Sequence, residues 1–307
     1  MSATLELAVV GNCQVAALVD RMARVVWMCL PRPDADPAFG ALLGGEAPGQ
    51  AGIFAVELRG ASESRQRYVG HSAVLETEIG DGNGGRIRVT DFCPRFAARG
   101  RFFRPVSLVR IVEPLAGRPV VQLRLEPRCE YGRSAPEQNW GSSHIRFSGG
   151  GYSWRVTTDA SVQAIVEQRS FVLDRPVTLM LHPDETLPES VGRTGRQFLE
   201  DTLAYWDDWV RGLAIPFEWQ EAVIRAAITL KLCTYEDTGA VLAALTTSVP
   251  EAPHSGRTWD YRYCWLRDAY FVIRALNRLG TTRTMESYLH YVDNVVARVG
   301  EAGLQPP

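Results

Sequence analysis

The sequence predicts a multidomain β + α protein, in which an N-terminal antiparallel β-sandwich is followed by the first helices of an α domain. Short apolar runs separated by Gly, Pro and Asp turns fill residues 5–185, as in an antiparallel sandwich. Further along the chain, apolar residues recur every three or four positions, as on one face of a helix. Between these regions, Asp184–Arg196 carries Pro188, Gly192 and Gly195 and is expected to be a linker.

Alternation of apolar and polar residues is the main strand signal, because it gives each strand one face toward a core and one toward water. In Arg86–Thr90, for example, the apolar residues occupy every second position. The expected strands are Val15–Val19, Val25–Leu30, Gly52–Leu58, Tyr68–Ile79, Arg86–Cys93, Pro105–Glu113, Pro119–Leu125, Tyr152–Thr158, Val162–Glu167, Ser170–Leu173 and Val177–Leu181.

The helical portion contains several segments with apolar residues at helical spacing. The first has them at Phe198, Thr202, Tyr205, Trp209 and Leu213, and the second at Trp219, Val223, Ala226, Leu230 and Cys233. Leu266–Leu279 and Thr284–Val299 predict two more helices. The predicted domains are a β-sandwich at 1–185, a linker with a helix at 186–215, and the helices at 216–307. Because an antiparallel helix pair must bury both apolar stripes, the α portion is expected to be incomplete.

Composition argues against several functional classes. A formal net charge of -2 over 307 residues, without a basic tail, does not indicate a nucleic-acid partner. The N-terminus does not resemble a signal peptide, and no apolar run approaches the ~20 residues that a membrane helix needs. The six cysteines form no C-x-x-C pair, which favours buried reduced thiols and a cytoplasmic protein.

Other motifs do not support a cofactor or a metal. Gly80–Gly85 matches G-x-G-x-x-G, but a strand pattern follows where a nucleotide site needs a helix, so a hairpin loop is expected. The five histidines form no H-E-x-x-H or similar ligand pattern, and a G-x-S-x-G nucleophile elbow is absent. No cofactor and no metal site are therefore predicted.

The segment Trp259–Asp268 (WDYRYCWLRD) is the strongest candidate for a site, because it concentrates aromatic and charged residues just before a predicted helix. Sugars match this chemistry: their C–H faces lie against aromatic rings, and their vicinal hydroxyls bond to guanidinium and carboxylate groups. A structural alternative stays open. In it, an Arg267–Asp260 or Arg262–Asp268 ion pair fixes the helix start and the tryptophans lie in the core.

Two segments resemble the bacterial members of glycoside hydrolase family 15, which contains glucoamylases, glucodextranases and some trehalases. One runs from Thr246 to Pro253 and on from Gly256 to Ala269, and includes WDYRYCWLRD. The other is Gly11–Asp20 (GNCQVAALVD) with Trp27 and Cys29–Asp34 (CLPRPD), which resembles the start of the family's β domain. The resemblance implies a β-sandwich, a helical linker and the beginning of an (α/α)6 barrel of the six-hairpin glycosidase type.

The resemblance also implies roles for individual residues. Arg267 and Asp268 would bind hydroxyls of the terminal glucose, Tyr261 would lie near its ring oxygen, and Trp265 would form a wall of the same subsite. Trp259, Asp260 and Tyr263 would support this loop.

The implied reaction is inverting exo-hydrolysis, in which one glutamic acid protonates the leaving oxygen and a glutamate activates water. Both glutamates are expected beyond Pro307, since Glu251, Glu286 and Glu301 resemble neither, so the 307-residue chain alone is expected to be inactive. Glucoamylase action on α-glucans or maltooligosaccharides is the first expectation. Trehalase action, or a non-catalytic sugar-binding or partner-dependent fragment, is the alternative. Assembly into a homo-oligomer stays open.

Overall fold

The computed structural model describes residues 6–44, 48–247 and 255–299. The chain divides into two compact units, Met1–Asp207 and Asp208–Pro307. The division falls inside the helix that the sequence predicts as part of a linker, and the predicted domain limits at residues 185 and 215 stay predictions.

The first unit is built from short strands. In chain order they are β1 Ala8–Gly11, β2 Ala16–Val19, β3 Arg24–Cys29, β4 Pro37–Phe39, β5 Ile53–Leu58, β6 Glu63–Tyr68, β7 Leu75–Gly80, β8 Arg86–Phe92, β9 Phe96–Ala98, β10 Arg101–Phe103, β11 Leu108–Ala116, β12 Val120–Glu126, β13 Glu137–Trp140, β14 His144–Gly149, β15 Tyr152–Thr158, β16 Phe171–Val172 and β17 Val177–Pro183.

Most of these strands form two antiparallel sheets. Within the described residues, a seven-stranded sheet has the order β1-β2-β3-β5-β12-β16, with β4 on β3, and an eight-stranded sheet has the order β13-β14-β15-β17-β11-β8-β7-β6. One core contains buried apolar residues of both sheets, among them Val19, Phe54 and Leu123 from the first and Leu75, Val89 and Leu181 from the second. The predicted antiparallel β-sandwich is therefore confirmed.

Two of the predicted strands are wrong in detail. Tyr68–Ile79 is two strands, because Gly70 adopts a positive φ and the Ser72 hydroxyl accepts from Val74 N and donates to Val69 O, which closes a turn. Val162–Glu167 is instead helix α1, Val162–Val166.

In α1, the Ser161 hydroxyl caps the helix by accepting from Ala164 N at 3.3 Å. Val162 and Ile165, which are three residues apart, are both buried. Over so few residues, the apolar spacing of a helix resembles that of a strand, which explains the difference from the prediction.

Arg110 and Asp91 form an ion pair inside the sandwich, with both side chains fully buried. They are cross-strand partners on β11 and β8, and Arg110 Nε donates to Asp91 Oδ1 at 2.7 Å. The guanidinium also donates to the carbonyl oxygens of Phe54, at 2.7 Å, and of Ala23, both in the opposite sheet. Arg110 therefore bonds the two sheets to each other through their buried faces.

Helix α2, Val191–Arg211, covers the second face of β11 and begins within the stretch predicted as a linker. Gly192 and Gly195 are not turn residues, because their lack of a side chain allows the helix to lie close to the sheet. A Cβ on Gly195 would lie 2.8 Å from Thr178 Cγ2, and one on Gly192 would lie 2.9 Å from Asp159 Oδ2. These glycines therefore lie inside the helix and not in a linker. For this reason α2 begins at Val191, before Phe198, the first residue of the predicted apolar spacing.

The Gly11–Asp20 motif has a structural role in this unit. The side-chain amide of buried Asn12 donates to the carbonyl oxygens of Pro94 and Pro105, at 3.0 and 2.7 Å. The backbone carbonyl of Asn12 accepts from the Arg95 guanidinium at 2.7 Å. The Arg95 guanidinium lies 4.7 Å from the ring of Tyr205 on α2. The motif therefore ties the first hairpin to the β9–β10 hairpin and, through Arg95, to α2.

The second unit contains helices α3 Gln220–Leu232, α4 Leu266–Arg278 and α5 Thr282–Val299, and the short strands β18 Thr234–Tyr235 and β19 Ala240–Val241. The three helices confirm the predicted helical segments. On α3 the predicted stripe is displaced by one position: Ile224, Ala227, Ile228 and Lys231 are buried, whereas Trp219 is exposed. Lys231 lies on the buried face because it bonds to Glu236 at 2.9 Å.

The Gly80–Gly85 segment lies in the β7–β8 hairpin, as predicted. Asp81 Oδ1 accepts from the backbone N–H groups of Asn83 and Gly85, at 2.7 and 2.8 Å, and Gly82 and Gly84 adopt positive φ. All six cysteines are free, and Cys13, Cys29 and Cys93 are buried. None of the helices in the described part of the chain combines the length and the apolar composition that a membrane span requires.

Candidate functional site

The segment Trp259–Asp268 leads from β19 into α4 and is fixed by main-chain bonds in the second unit. Ala243 N donates to the Tyr263 carbonyl at 3.2 Å, and Ala244 N donates to the Tyr261 carbonyl at 2.8 Å. Residues 261–263 form a turn, and α4 begins at Leu266 after an extended Trp265. Main-chain hydrogen bonds from Ala243 and Ala244 therefore fix the position of the turn at residues 261–263.

Asp260 and Arg262 form the polar support of this loop. Arg262 Nη2 lies 2.7 Å from Asp260 Oδ2, Arg262 Nε lies 3.0 Å from Oδ1, and the Arg262 backbone N–H also donates to Oδ1 at 3.0 Å. The Arg262 side chain is only 2% exposed. A carboxylate that receives a guanidinium fork and a main-chain bond from the same residue fixes the turn between them.

The charge of Asp260 is stabilised by this arrangement. Burial by itself would raise the pKa of the Asp260 carboxyl, but the side-chain and backbone hydrogen bonds from Arg262 outweigh it and lower that pKa. The Thr247 hydroxyl contributes a further bond at 3.4 Å. The two ion pairs offered by the structural alternative, Arg267–Asp260 and Arg262–Asp268, are both wrong, since Asp260 pairs with Arg262 and Asp268 with Arg267.

Three aromatic side chains of the segment form one cluster. The rings of Tyr261 and Trp265 are stacked, with centroids 5.7 Å apart and planes at 26°, and Trp259 meets Trp265 edge-on at 6.5 Å. Trp259 is 50% exposed, so the tryptophans do not lie in the core as the alternative supposed. A partly exposed cluster of stacked rings presents the flat apolar surface that a sugar ring covers.

Arg267 and Asp268 lie in the first turn of α4, next to this cluster in sequence. Their side chains are 75% and 42% exposed, and Arg267 Nη2 lies 3.4 Å from Asp268 Oδ2. A carboxylate in the first helical turn is favoured by the helix dipole. Both charged groups retain hydrogen-bonding capacity toward solvent, which is the property that a ligand with neighbouring hydroxyls requires.

Cys264 is the inward-facing residue between the aromatics. It packs with Val241, Ala269 and Tyr288 in a small core. Burial raises the pKa of the Cys264 thiol, and burial beside that thiol raises the pKa of Tyr288 to about 12. The thiol and the phenol are therefore neutral packing groups under ordinary conditions.

The geometry brings together most of the predicted residues. Tyr261 and Trp265 are in contact, Arg267 and Asp268 are paired, and Trp259 and Asp260 support them through the contacts above. Tyr263 is 54% exposed and contributes its carbonyl to the loop.

Arg262, which the sequence analysis did not include among the site residues, fixes the position of Asp260 more strongly than any other side chain. An aspartate two residues before an arginine in a turn is the only signal that would have indicated it.

Three glutamates were considered for the catalytic roles. Glu286 is exposed on α5, whereas Glu251 and Glu301 lie outside the described residues. Of the first resembling segment, residues 248–253 also lie outside them. Over residues 6–44, 48–247 and 255–299, no group of three or more His, Cys, Asp or Glu side chains is arranged to hold a metal ion.

Comparison with known families gives two matches on this chain. Residues 3–171 match the family described as trehalase-like, N-terminal, and residues 219–306 match glycosyl hydrolases family 15. The first match covers most of the β-sheet unit, and the second covers the helices α3 to α5 with the candidate site.

Curated relatives match along most of the chain. Trehalases of Mycolicibacterium smegmatis and Mycobacterium tuberculosis are 28% and 27% identical, over 93% and 94% of this chain and 46% of each relative. Trehalase 1 of Sulfolobus acidocaldarius is 27% identical over 88% of this chain and 45% of the relative. The chain thus spans about half the length of the curated relatives it matches.

Proposed function

Because the chain belongs to the glycoside hydrolase family 15 proteins that carry a trehalase-like N-terminal domain, we propose that it provides one wall of the terminal-glucose pocket of an α-glucoside hydrolase acting on trehalose. The observation that carries the proposal is the stacked Tyr261–Trp265 pair placed directly before the Arg267–Asp268 pair. Rings and paired charges together match the apolar face and the vicinal hydroxyls of one glucose unit.

Each residue has a defined part in this pocket. Trp265 covers one face of the glucose ring, and Tyr261 lies by the ring oxygen, where positive charge develops in the transition state. Arg267 donates to, and Asp268 accepts from, hydroxyls at the non-reducing end. Asp260, held by Arg262, keeps the loop in place, because a side chain displaced by ~1 Å can cost about a hundredfold in rate.

We propose trehalose, and not a longer α-glucan, as the substrate. Glucoamylase action is the first expectation from the sequence, but the relatives that match this chain are named trehalases. The proposed reaction is exo-acting hydrolysis with inversion, which requires a general acid and a general base, and the resemblance assigns neither role to a glutamate of these residues. Family 15 proteins without both carboxylates would bind the sugar and not cleave it.

The substrate assignment is tested by measuring glucose release by the protein that the complete reading frame encodes. Trehalose is expected to have a kcat/KM at least about tenfold above that of maltose and isomaltose. NMR recorded before mutarotation should show one β-glucose and one α-glucose per trehalose, since inversion occurs only at the sugar that water attacks. A higher kcat/KM for maltose would restore the glucoamylase interpretation, and glucose release by the purified 307-residue chain would overturn the placement of the glutamates.

Arg267→Ala is expected to lower kcat/KM for trehalose by about tenfold to a hundredfold, because a hydrogen bond to a charged group contributes ~1.5–3 kcal/mol. Arg274→Ala is the matched control, since Arg274 is also an exposed arginine on α4 and bonds to Tyr270 on the same helix at 3.4 Å. The measurement is the steady-state kinetics of both variants with trehalose. Equal loss in both, or no loss in Arg267→Ala, would remove Arg267 from the pocket.

A further inference from the structure

A cleft of about 450 Å³ lies on the β-sheet unit, between a loop of one sheet and a hairpin of the other. The loop joins β3 to β4 in the seven-stranded sheet and contributes residues 30–32, and the hairpin joins β14 to β15 in the eight-stranded sheet and contributes residues 149–152. Residues 30–32 belong to the CLPRPD motif, to which the proposed glucose pocket gives no role. The whole cleft lies in the first compact unit, whereas Trp259–Asp268 lies in the second.

Arg128, which follows β12, places an unpaired positive charge in this cleft. Within the described residues its guanidinium has no hydrogen-bond or ion-pair partner, and its Nε is buried without an acceptor. The backbone N–H of Arg128 donates to the Ala38 carbonyl at 2.9 Å, which fixes the main chain beside the cleft. A guanidinium that is partly withdrawn from water and unpaired lacks the acceptors it has in solution, and an oxyanion in the cleft would supply them.

The other charged side chains of the lining are already bonded. Arg32 Nε lies 3.1 Å from Asp34 Oδ1, and Asp36 Oδ2 accepts from the Glu130 backbone N–H at 3.0 Å. The second bond holds a turn in which Glu130 adopts a φ of 53°, a conformation uncommon for a residue with a side chain. The lining therefore carries two arginines against one aspartate, and of these three described side chains only that of Arg128 has no partner.

The rest of the lining suits a molecule that has a carbon body as well as a charged group. Pro127, Pro136 and Trp154 contribute apolar surface, and the cleft is larger than a single inorganic ion would fill. Tyr152 adds a donor: burial, and next the charge of Glu185, raises the pKa of its phenol, so the hydroxyl is protonated at neutral pH.

We propose that this cleft binds a small organic oxyanion, whose carboxylate or phosphate group bonds to the Arg128 guanidinium while its carbon body lies against the apolar lining. Carboxylate and phosphate groups both offer a guanidinium two acceptor oxygens, so they share the chemistry that Arg128 recognises. The proposal uses no residue of the second unit and does not depend on the proposed hydrolase function.

The test is calorimetric titration of the 307-residue chain with benzoate, phenyl phosphate and benzyl alcohol, which share one aromatic ring and differ in the group attached to it. At least one of the two anions is expected to bind with a Kd of about 1 mM or below. Benzyl alcohol should bind at least about tenfold more weakly, because it cannot form a charge-assisted bond to Arg128. The tighter anion identifies the group. No binding of either anion, or equal binding of benzyl alcohol, would overturn the proposal.

Arg128→Met removes the charge and keeps most of the side-chain length. Because the Arg128 side chain bonds to no other described residue, this variant is expected to fold as wild type does. It should bind the anion about tenfold to a hundredfold more weakly, with benzyl alcohol binding unchanged. Arg133→Met, at an exposed arginine of the same segment that does not line the cleft, is the matched control and should bind as wild type does. Equal affinity of wild type and Arg128→Met, or equal loss in Arg133→Met, would overturn the site.

Discussion

Replacement of Arg110 by methionine is expected to lower the free energy of unfolding of the β-sheet unit by about 3–5 kcal/mol, because it leaves a charged carboxylate buried without its partner. Asp91 is fully buried, and its carboxylate bonds to Arg110 through both oxygens. The carbonyl oxygens of Phe54 and Ala23 would also lose a donor. Urea titration read out by hydrogen exchange in peptides from the sheets measures this loss.

Two further variants test whether the unpaired Asp91 carboxylate causes the loss of stability. Arg110→Met combined with Asp91→Leu removes both charges, and this double variant should be more stable than Arg110→Met alone, since an apolar pair avoids the cost of a buried lone charge. Arg67→Met breaks the Arg67–Glu76 pair, in which the arginine is 58% exposed, and should cost less than about 1 kcal/mol. A double variant as unstable as the single one would show that the lost bonds to the opposite sheet dominate.

The Arg110 pair also shows what the sequence could and could not predict about the fold. Apolar alternation and turn residues predict most strands and the sandwich, because these signals are local. In β11 every residue from Leu108 to Val112 is buried, since one face packs on the other sheet and the other on α2. A charged residue inside such a strand is explained only by its cross-strand partner, Asp91, which lies 19 positions away.

The candidate site divides in the same way. Residue types alone predicted the segment Trp259–Asp268 as a site, because rings and charged groups are the chemistry that sugars require, and the family resemblance selected Tyr261, Trp265, Arg267 and Asp268 within it. The pairing of the charges could not be predicted, since it depends on the turn at residues 261–263 and on where α4 begins. In that turn Arg262 folds back onto Asp260, two positions earlier, so neither longer-range pair forms.

The β-sheet unit is expected to lose stability as the pH falls from about 6.5 to about 4, through His182. This histidine is 6% exposed, and burial, followed by the nearby charge of Arg155, lowers its pKa from 6.5 to about 4. Asp184 and the Pro183 backbone act in the opposite direction, and His144 acts in the same direction as Arg155. The unfolded chain therefore binds a proton in this pH range that the folded chain does not, so acid favours unfolding.

The size of this effect follows from the difference between the two pKa values. At about 1.4 kcal/mol per pKa unit, the full loss is about 3 kcal/mol, and about 2 kcal/mol of it falls between pH 7 and pH 5. His182→Gln keeps a polar group for Thr157, whose hydroxyl lies 2.8 Å from His182 Nε2, but it cannot take up the proton. This variant should lose about 2 kcal/mol less than wild type between pH 7 and pH 5.

His71→Gln, at an exposed histidine in the same unit, controls for the loss of a histidine and should follow the wild-type pH profile. Urea titrations at pH 5, 6 and 7, read out by hydrogen exchange in peptides covering residues 144–183, compare the three proteins. If wild type and His182→Gln lose equal stability over this range, His182 accepts a proton in the folded state and its burial does not govern the acid response. If only His182→Gln resists acid, the neutral imidazole of His182 on β17, bonded to Thr157 on β15, is the group that makes this sheet acid-sensitive.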